Sequence, residues 1–249
     1  MRRTLVIVGC LAAVAGAVAW AARSSRFEQA REAMSRGAAP GRLGSRLNSL
    51  GDRPMYRAFA DALDAGPGDD VLDVACGWGE FLVNHAADAG HVAGIDLTPE
   101  KVALARERLA DRLEAGTAEV VVGDAATLPW PDGHFTAVTC MDAIMFFPDQ
   151  PAALAEFHRV LQPGGRALIS FAAEQLPEGV ESRTARGVAG TYTAISATAA
   201  RQMLEQAGFD PVDVTWVPIA GEHQRIGGVL RALGGDQLDV VIGRKPAAA

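Results

Sequence analysis

Val71-Leu72-Asp73-Val74-Ala75-Cys76-Gly77-Trp78-Gly79-Glu80-Phe81 carries an apolar strand ending near an acid, then small residues at alternate positions 75, 77 and 79. A turn of this composition lets backbone N–H groups approach a ligand at the start of the following helix. A strand, a glycine turn and a helix in that order open an α/β unit.

The pattern repeats outward from there. A helix over about 54–65 precedes the first strand at 70–75, and a second helix over about 79–89 stops at Gly90. HVAGID, 91–96, is a second strand, and Thr98-Pro99-Glu100 reads as an N-cap, a proline at the first helical position and a first-turn acid. Val102, Ala105, Leu109 and Leu113 recur at helical spacing behind it. Strands follow at 118–124 and 134–140, then a helix marked by Leu154, Phe157 and Leu161. Pro163-Gly164-Gly165 reads as a turn into a fifth strand, 167–171, without a ligand role. A helix at 196–207 and strands at 212–217 and 238–243 close the chain. The fold class is α/β: a doubly wound, Rossmann-like seven-stranded sheet with an antiparallel terminal strand pair, preceded by an N-terminal apolar helix.

In an open sheet of this kind the ligand lies beyond the carboxyl ends of the strands. Asp96 ends the second strand, 17 residues after Gly79, and suits the two hydroxyls of a ribose. Asp124 ends the third and is placed to accept from an exocyclic amine. A ribose and an adenine leave NAD and S-adenosylmethionine as candidates. A dinucleotide fingerprint registered on Ala75 and Gly77 needs a small residue at position 80, where Glu80 stands. An acid there opposes a pyrophosphate and favours a cationic methionine moiety.

VLDVACGWGEF, GIDLTPE, GDAATLPWPDGHFTAV and RVLQPGGRALIS, in this order, resemble the motifs of class I S-adenosylmethionine-dependent methyltransferases, of the small-molecule and quinone-biosynthesis type, over roughly 55–245. The resemblance implies that Asp73, Ala75, Cys76, Gly77 and Gly79 surround the methionine part of the cofactor. It places Asp96, with Leu97 beside it, at the ribose, and Asp124 with Ala125 at the adenine; backbone near Cys140 would meet the methionine part. Ala75 replaces the family's first glycine, a change tolerated at negative φ. Thr136 replaces a frequent Asp and reads as a surface change. Met145 and Phe146 replace histidines of many quinone-type members, which makes the adjoining pocket more apolar. The implied activity is methyl transfer to a small or lipid-like acceptor. A non-catalytic cofactor-binding protein and a nicotinamide-dependent oxidoreductase are the alternatives.

Charge divides the chain unevenly. Nine arginines against three acids leave +6 on residues 1–53 and, with −7 overall, −13 on 54–249. An acidic main domain argues against a nucleic-acid partner. Three cysteines, Cys10, Cys76 and Cys140, make neither a disulfide framework nor a metal site, and read as single thiols in a reducing compartment. Residues 4–22 carry no charge and as a helix would be roughly 28 Å long, about a bilayer core. Five arginines within twenty residues after this segment, against Arg2 and Arg3 before it, put the C-terminal side in the cytoplasm. The expected organisation is an anchor or signal segment over 1–22, a basic linker over 23–53 and the methyltransferase domain over 54–249. The site would then lie at the cytoplasmic face of the membrane, or in the cytoplasm if the segment is absent.

Other residues divide between chemistry and packing. Asp142 and His223 are candidate general bases, with no catalytic residue assigned. His85, His134 and His158 read as structural or exposed. Trp78 reads as packing, and Tyr56 and Tyr192 as possible pocket lining.

Overall fold

The computed structural model describes residues 56–57, 59–141, 143–171, 197–218 and 237–247, all within one compact unit, Arg42–Ala249. The apolar segment 4–22, the linker 23–53, Asp142, Tyr192 and His223 lie outside the described residues. Among the described residues, no helix is long and apolar enough to cross a membrane.

After helical residues at 59–63 the elements are β1 (Asp70–Val74), α1 (Glu80–Asn84), β2 (His91–Asp96), α2 (Pro99–Arg108), α3 (Ala110–Glu114), β3 (Ala118–Val122) and β4 (Phe135–Cys140). Then come a 3-10 turn at Ile144–Phe146, α4 (Gln150–Val160), β5 (Leu161–Phe171), α5 (Ala197–Gln206), β6 (Val212–Pro218) and β7 (Gln237–Arg244). The sheet order is β3-β2-β1-β4-β5-β7-β6. β1 to β5 run parallel, and β7 lies antiparallel between β5 and β6. The terminal strands thus pair as expected, with the last strand inserted inside the penultimate one.

Neighbouring strand residues feed opposite cores, the signature of a sheet covered on both faces. Val71, Leu168 and Val240 pack with Phe59, Phe81, Leu82 and Val102 on one side. Leu72, Ile169 and Val241 pack with Leu154, Phe157, Leu204 and Phe209 on the other.

Two local expectations are corrected. The helix expected over 79–89 is only the five-residue α1, closed at His85. Beyond it the Arg112 guanidinium donates to the carbonyls of Ala86, Ala87, Ala89, Gly90 and Thr117 at 2.8–3.4 Å, supplying partners that continued helix would have supplied. Pro163-Gly164-Gly165 is not a turn ahead of β5 but an irregularity inside it: Phe135 pairs with Leu161, and the register shifts before Ala137 pairs with Arg166. Gly165 has no room for a side chain, since a Cβ would sit 2.9 Å from Gln162 O and 3.0 Å from Thr136 O. The β3-to-β4 connection, residues 123–134, carries no helix. The Arg159 guanidinium holds it instead, donating to Leu128 O and Trp130 O at 3.0 and 2.8 Å.

Thr136 is likewise more than a surface replacement. Its hydroxyl donates to Asp69 Oδ1 at 2.6 Å and accepts from Asp70 N at 3.0 Å, tying β4 to the start of β1. Arg166 on β5 completes the knot through Asp69 Oδ1 at 3.0 Å and Leu63 O at 2.7 Å. Burial pushes the Asp69 carboxyl up, but hydrogen bonds from Arg166, Thr136 and Gly66 N outweigh it and hold the pKa at about 2 against the usual 3.8. A depressed carboxyl stabilises the fold above its unfolded pKa and loses that contribution as pH falls. We expect Asp69 to contribute about 2 kcal/mol near neutrality, lost from roughly pH 4 down to about 2. Melting curves of wild type and Asp69→Asn should converge over that window; parallel curves would refute the assignment.

Candidate functional site

The strand order reverses between β1 and β4, so the crevice for a ligand opens beyond their carboxyl ends. There the turn after β1 holds Ala75, Gly77 and Gly79 at φ values of 60°, 55° and 74°. Gly79 ends the turn as the left-handed N-cap of α1. Gly79 N donates to Cys76 O at 2.9 Å, and Cys76 N to Ile95 O at 3.0 Å, fastening the turn to β2.

Asp96, nearly buried at the end of β2, accepts from Gly77 N on Oδ2 and from Thr98 N on Oδ1, both at 2.9 Å. A carboxylate oxygen accommodates two hydrogens, so each keeps capacity for a ligand hydroxyl. The Asp96 carboxylate therefore does two things: it fixes the glycine turn and remains an acceptor pair. Thr98 starts α2 in extended geometry but its side chain makes no cap hydrogen bond; the anchoring runs from its backbone to Asp96.

Ala75 overturns the expectation of negative φ. An alanine in the left-handed region costs roughly 1 kcal/mol or more against its Cβ. We therefore expect Ala75→Gly to raise the stability of the free protein by about 0.5–1 kcal/mol, the gain reduced by the looser unfolded chain. A thermal melt in which the variant is less stable would contradict the strain.

Asp73, at the penultimate position of β1, is buried and accepts from the Thr139 hydroxyl at 2.8 Å. Burial pushes its carboxyl up, the Thr139 hydrogen bond draws it down and the Asp96 charge raises it, leaving the pKa at about 7 against the usual 3.8. For a carboxyl raised by folding, the stabilising contribution is full below the unfolded pKa and fades as pH climbs through about 7.

The two thiols of the expected set turn away from solvent. Cys76 packs among Phe81, Leu82 and Val92, and burial together with the charges of Asp73 and Asp96 pushes its thiol up. Cys140 is fully buried in the opposite core. Leu97, directly after Asp96, is among the most exposed large apolar residues described, at 72%. Asp124 is exposed, with Oδ1 accepting from Ala126 N at 2.9 Å, and Ala125 is half-buried beside it. Gly123 N donates to Asp96 O at 3.1 Å, which brings the Asp124 turn against the end of β2.

Glu80 does not act as a free acid towards a ligand. It is buried, its Oε2 lies 2.7 Å from Arg108 Nη2, and Asn84 donates to Oε1 at 2.9 Å. The charge argument from Glu80 against a pyrophosphate therefore lapses, while the absent third small residue stands. Arg108 also donates to Trp78 O at 3.1 Å, so α2 braces the glycine turn from outside. The Tyr56 ring packs 6.4 Å from Phe81 and 5.6 Å from His85. Of the apolar pair after β4, Met145 is buried and Phe146 is exposed.

Four contributors went unread in the sequence: Thr139, Arg108, Gly94 and Gly123. A Cβ on Gly94 would lie 2.9 Å from Cys76 Sγ and from Leu82 Cδ1, so β2 needs glycine directly beneath the turn. A glycine inside a strand is a readable sign of close approach. Thr139 and Arg108 carried no local sign.

The αβα sheet, with its crevice bounded by a glycine turn and two strand-end carboxylates, is a fold shared with solved methyltransferases. Residues 72–169 match the methyltransferase domain family. A phosphoethanolamine N-methyltransferase of Triticum aestivum is 34% identical over 172 residues, 68% of this chain and 34% of that protein. A demethylmenaquinone methyltransferase of Deinococcus radiodurans is 39% identical over 132 residues, 50% of this chain and 52% of that protein. The matches thus span between a third and about half of these relatives' length. Among solved structures, phosphoethanolamine N-methyltransferase 2 of Haemonchus contortus, in complex with phosphomonomethylethanolamine and S-adenosylhomocysteine, superposes with a TM-score of 0.62 at 20% identity, covering 76% of this chain and 52% of that one. Residues 72–169 therefore carry a methyltransferase domain, and the fold is shared with methyltransferases solved with S-adenosylmethionine or S-adenosylhomocysteine.

Proposed function

We propose that this protein transfers a methyl group from S-adenosylmethionine to a small, lipophilic acceptor at the cytoplasmic face of a membrane. The observation that carries the cofactor reading is Asp96, whose carboxylate binds the glycine-turn backbone and still offers acceptors at the end of β2. The residues fit the cofactor: a turn in which a side chain at Gly77 or Gly79 would be strained, an exposed apolar Leu97, and Asp124 oriented by its own turn.

When bound, S-adenosylmethionine supplies a methyl carbon activated by a sulfonium. The chain's task is then alignment and water exclusion more than proton transfer. The β1 turn and Asp96 hold one side of the crevice, and the segment after β4, with Phe146 exposed, borders the other. For a hydroxyl or acidic-carbon acceptor, Asp142 or His223 would serve as base. Support for a lipophilic acceptor comes from Met145 and Phe146 in place of polar residues, and support for the membrane from the charge-free segment 4–22 followed by arginines.

Full-length protein in detergent should bind S-adenosylmethionine in the micromolar range by calorimetry and NAD far more weakly. The reverse preference would sink the reading and revive the oxidoreductase. For the acceptor, cells lacking the protein should lose at least one methylated lipid or quinone; an unchanged lipid extract would count against a membrane substrate. Fractionation that leaves the native protein in the soluble pool would remove the anchor.

A further inference from the structure

We propose that Thr139 is a positioning residue that governs the charge of Asp73, and that cofactor binding is coupled through this pair to the release of one proton. The inference rests on the cofactor reading above.

The two acids at the ends of β1 and β2 have different partners. Asp96 is held by two backbone N–H groups, from Gly77 and Thr98, which can only donate. Asp73 has a hydroxyl partner instead, and a hydroxyl both donates and accepts. Thr139 Oγ1 lies 2.8 Å from Asp73 Oδ1 and 3.4 Å from Leu72 O, both as acceptors, yet it has one hydrogen. With Asp73 ionised, that hydrogen points to Oδ1. With Asp73 protonated, the carboxyl donates to Oγ1 and the hydroxyl hydrogen turns to Leu72 O. Both charge states are therefore satisfied without moving the backbone, in a site where Thr139 is fully buried.

The surroundings favour the neutral state while the crevice holds no cation. Around Asp73 stand Asp96 on β2 and Cys76 on the β1 turn, and Lys101 on α2 acts as a cation on Cys76. Asp142, after β4, lies outside the described residues. Burial and the Asp96 charge outweigh the Thr139 hydrogen bond and push the Asp73 carboxyl up to about 7. S-adenosylmethionine brings an ammonium and a sulfonium to the turn that follows Asp73. A cation there favours the carboxylate, so the carboxyl O–H bond breaks, its electron pair stays on oxygen and the proton leaves to solvent.

The test is calorimetric titration of the full-length protein with S-adenosylmethionine, in two buffers of different ionisation heat, from about pH 5.5 to about pH 8.5. The expected result is close to one proton released per cofactor at the acid end, with affinity rising up to about tenfold per pH unit and levelling above the midpoint. Thr139→Val should shift that midpoint upward and Thr139→Ser should restore it; Asp73→Asn should remove both the slope and the proton. A merely structural threonine would alter affinity equally at all pH values. Wild-type binding with flat affinity and no proton release would overturn the coupling while leaving the cofactor reading intact. No binding at any pH would overturn the cofactor reading, and this inference with it. If Asp73→Asn fails to fold, the wild-type proton count and the Thr139 pair decide.

Discussion

Asp96→Ala is expected to weaken S-adenosylmethionine binding by about 100-fold or more while leaving the protein folded. The substitution removes two hydrogen bonds to an ionised group from the ligand side, each worth about 1.5–3 kcal/mol. It also releases Gly77 N and Thr98 N, which Asp96 holds at 2.9 Å, so the glycine turn loses its tie to β2. A loss of about 3 kcal/mol already corresponds to roughly 100-fold in affinity. Asp96→Asn separates the two roles. Its amide has one acceptor oxygen, so one of the two backbone N–H groups faces an NH₂ and is left unpaired. An intermediate loss of about 10- to 30-fold follows. Calorimetric titration, with circular dichroism to monitor folding, reads both variants. Binding by folded Asp96→Ala within about threefold of wild type would remove Asp96 from the site.

The second large effect is expected far from the crevice. Arg159 on α4 forms a fork with Glu156, at 2.7 Å through Nε and 2.8 Å through Nη2. The same guanidinium donates to Trp130 O at 2.8 Å and Leu128 O at 3.0 Å, and Glu156 Oε2 accepts from Leu128 N at 2.7 Å. Asp132 also lies 2.9 Å away, but it is highly exposed and contributes little. Arg159→Ala leaves two carbonyls without their side-chain donor and leaves Glu156 only the Leu128 N–H, which costs about 3 kcal/mol. For a domain of this size that is a drop of about 6–12 °C in melting temperature. Because the 123–134 connection carries Asp124 and Ala125, cofactor affinity should fall as well, by about 5- to 10-fold. Arg159→Lys should recover only part of the stability, since an ammonium cannot make the fork. A shift below about 2 °C would show that the connection is held by its apolar packing alone.

Much of the architecture was legible because it is written locally. Strand residues such as Val71-Leu72 and Val240-Val241 are apolar on successive positions because both faces are covered, and Thr98-Pro99 and Gly208 bracket helices by backbone preference. Gly77, Gly79 and Asp96 could be named because a left-handed turn and a strand-end acid leave marks within a short window. Glu80 was misread because its meaning lies in Arg108, 28 positions away. Thr136 was misread for the same reason, its partner Asp69 being 67 positions away.

The sequence alone determined the strand–turn–helix grammar, the likeness to methyltransferases and the two strand-end acids, since these follow from backbone preference and burial of neighbouring residues. The tertiary structure alone decided that β7 slips between β5 and β6, that Ala75 adopts a left-handed conformation, and that Thr139 rather than a backbone amide meets Asp73. Those outcomes depend on strand register and on buried charges brought together from distant parts of the chain, where dielectric and geometry, not local propensity, set the energy.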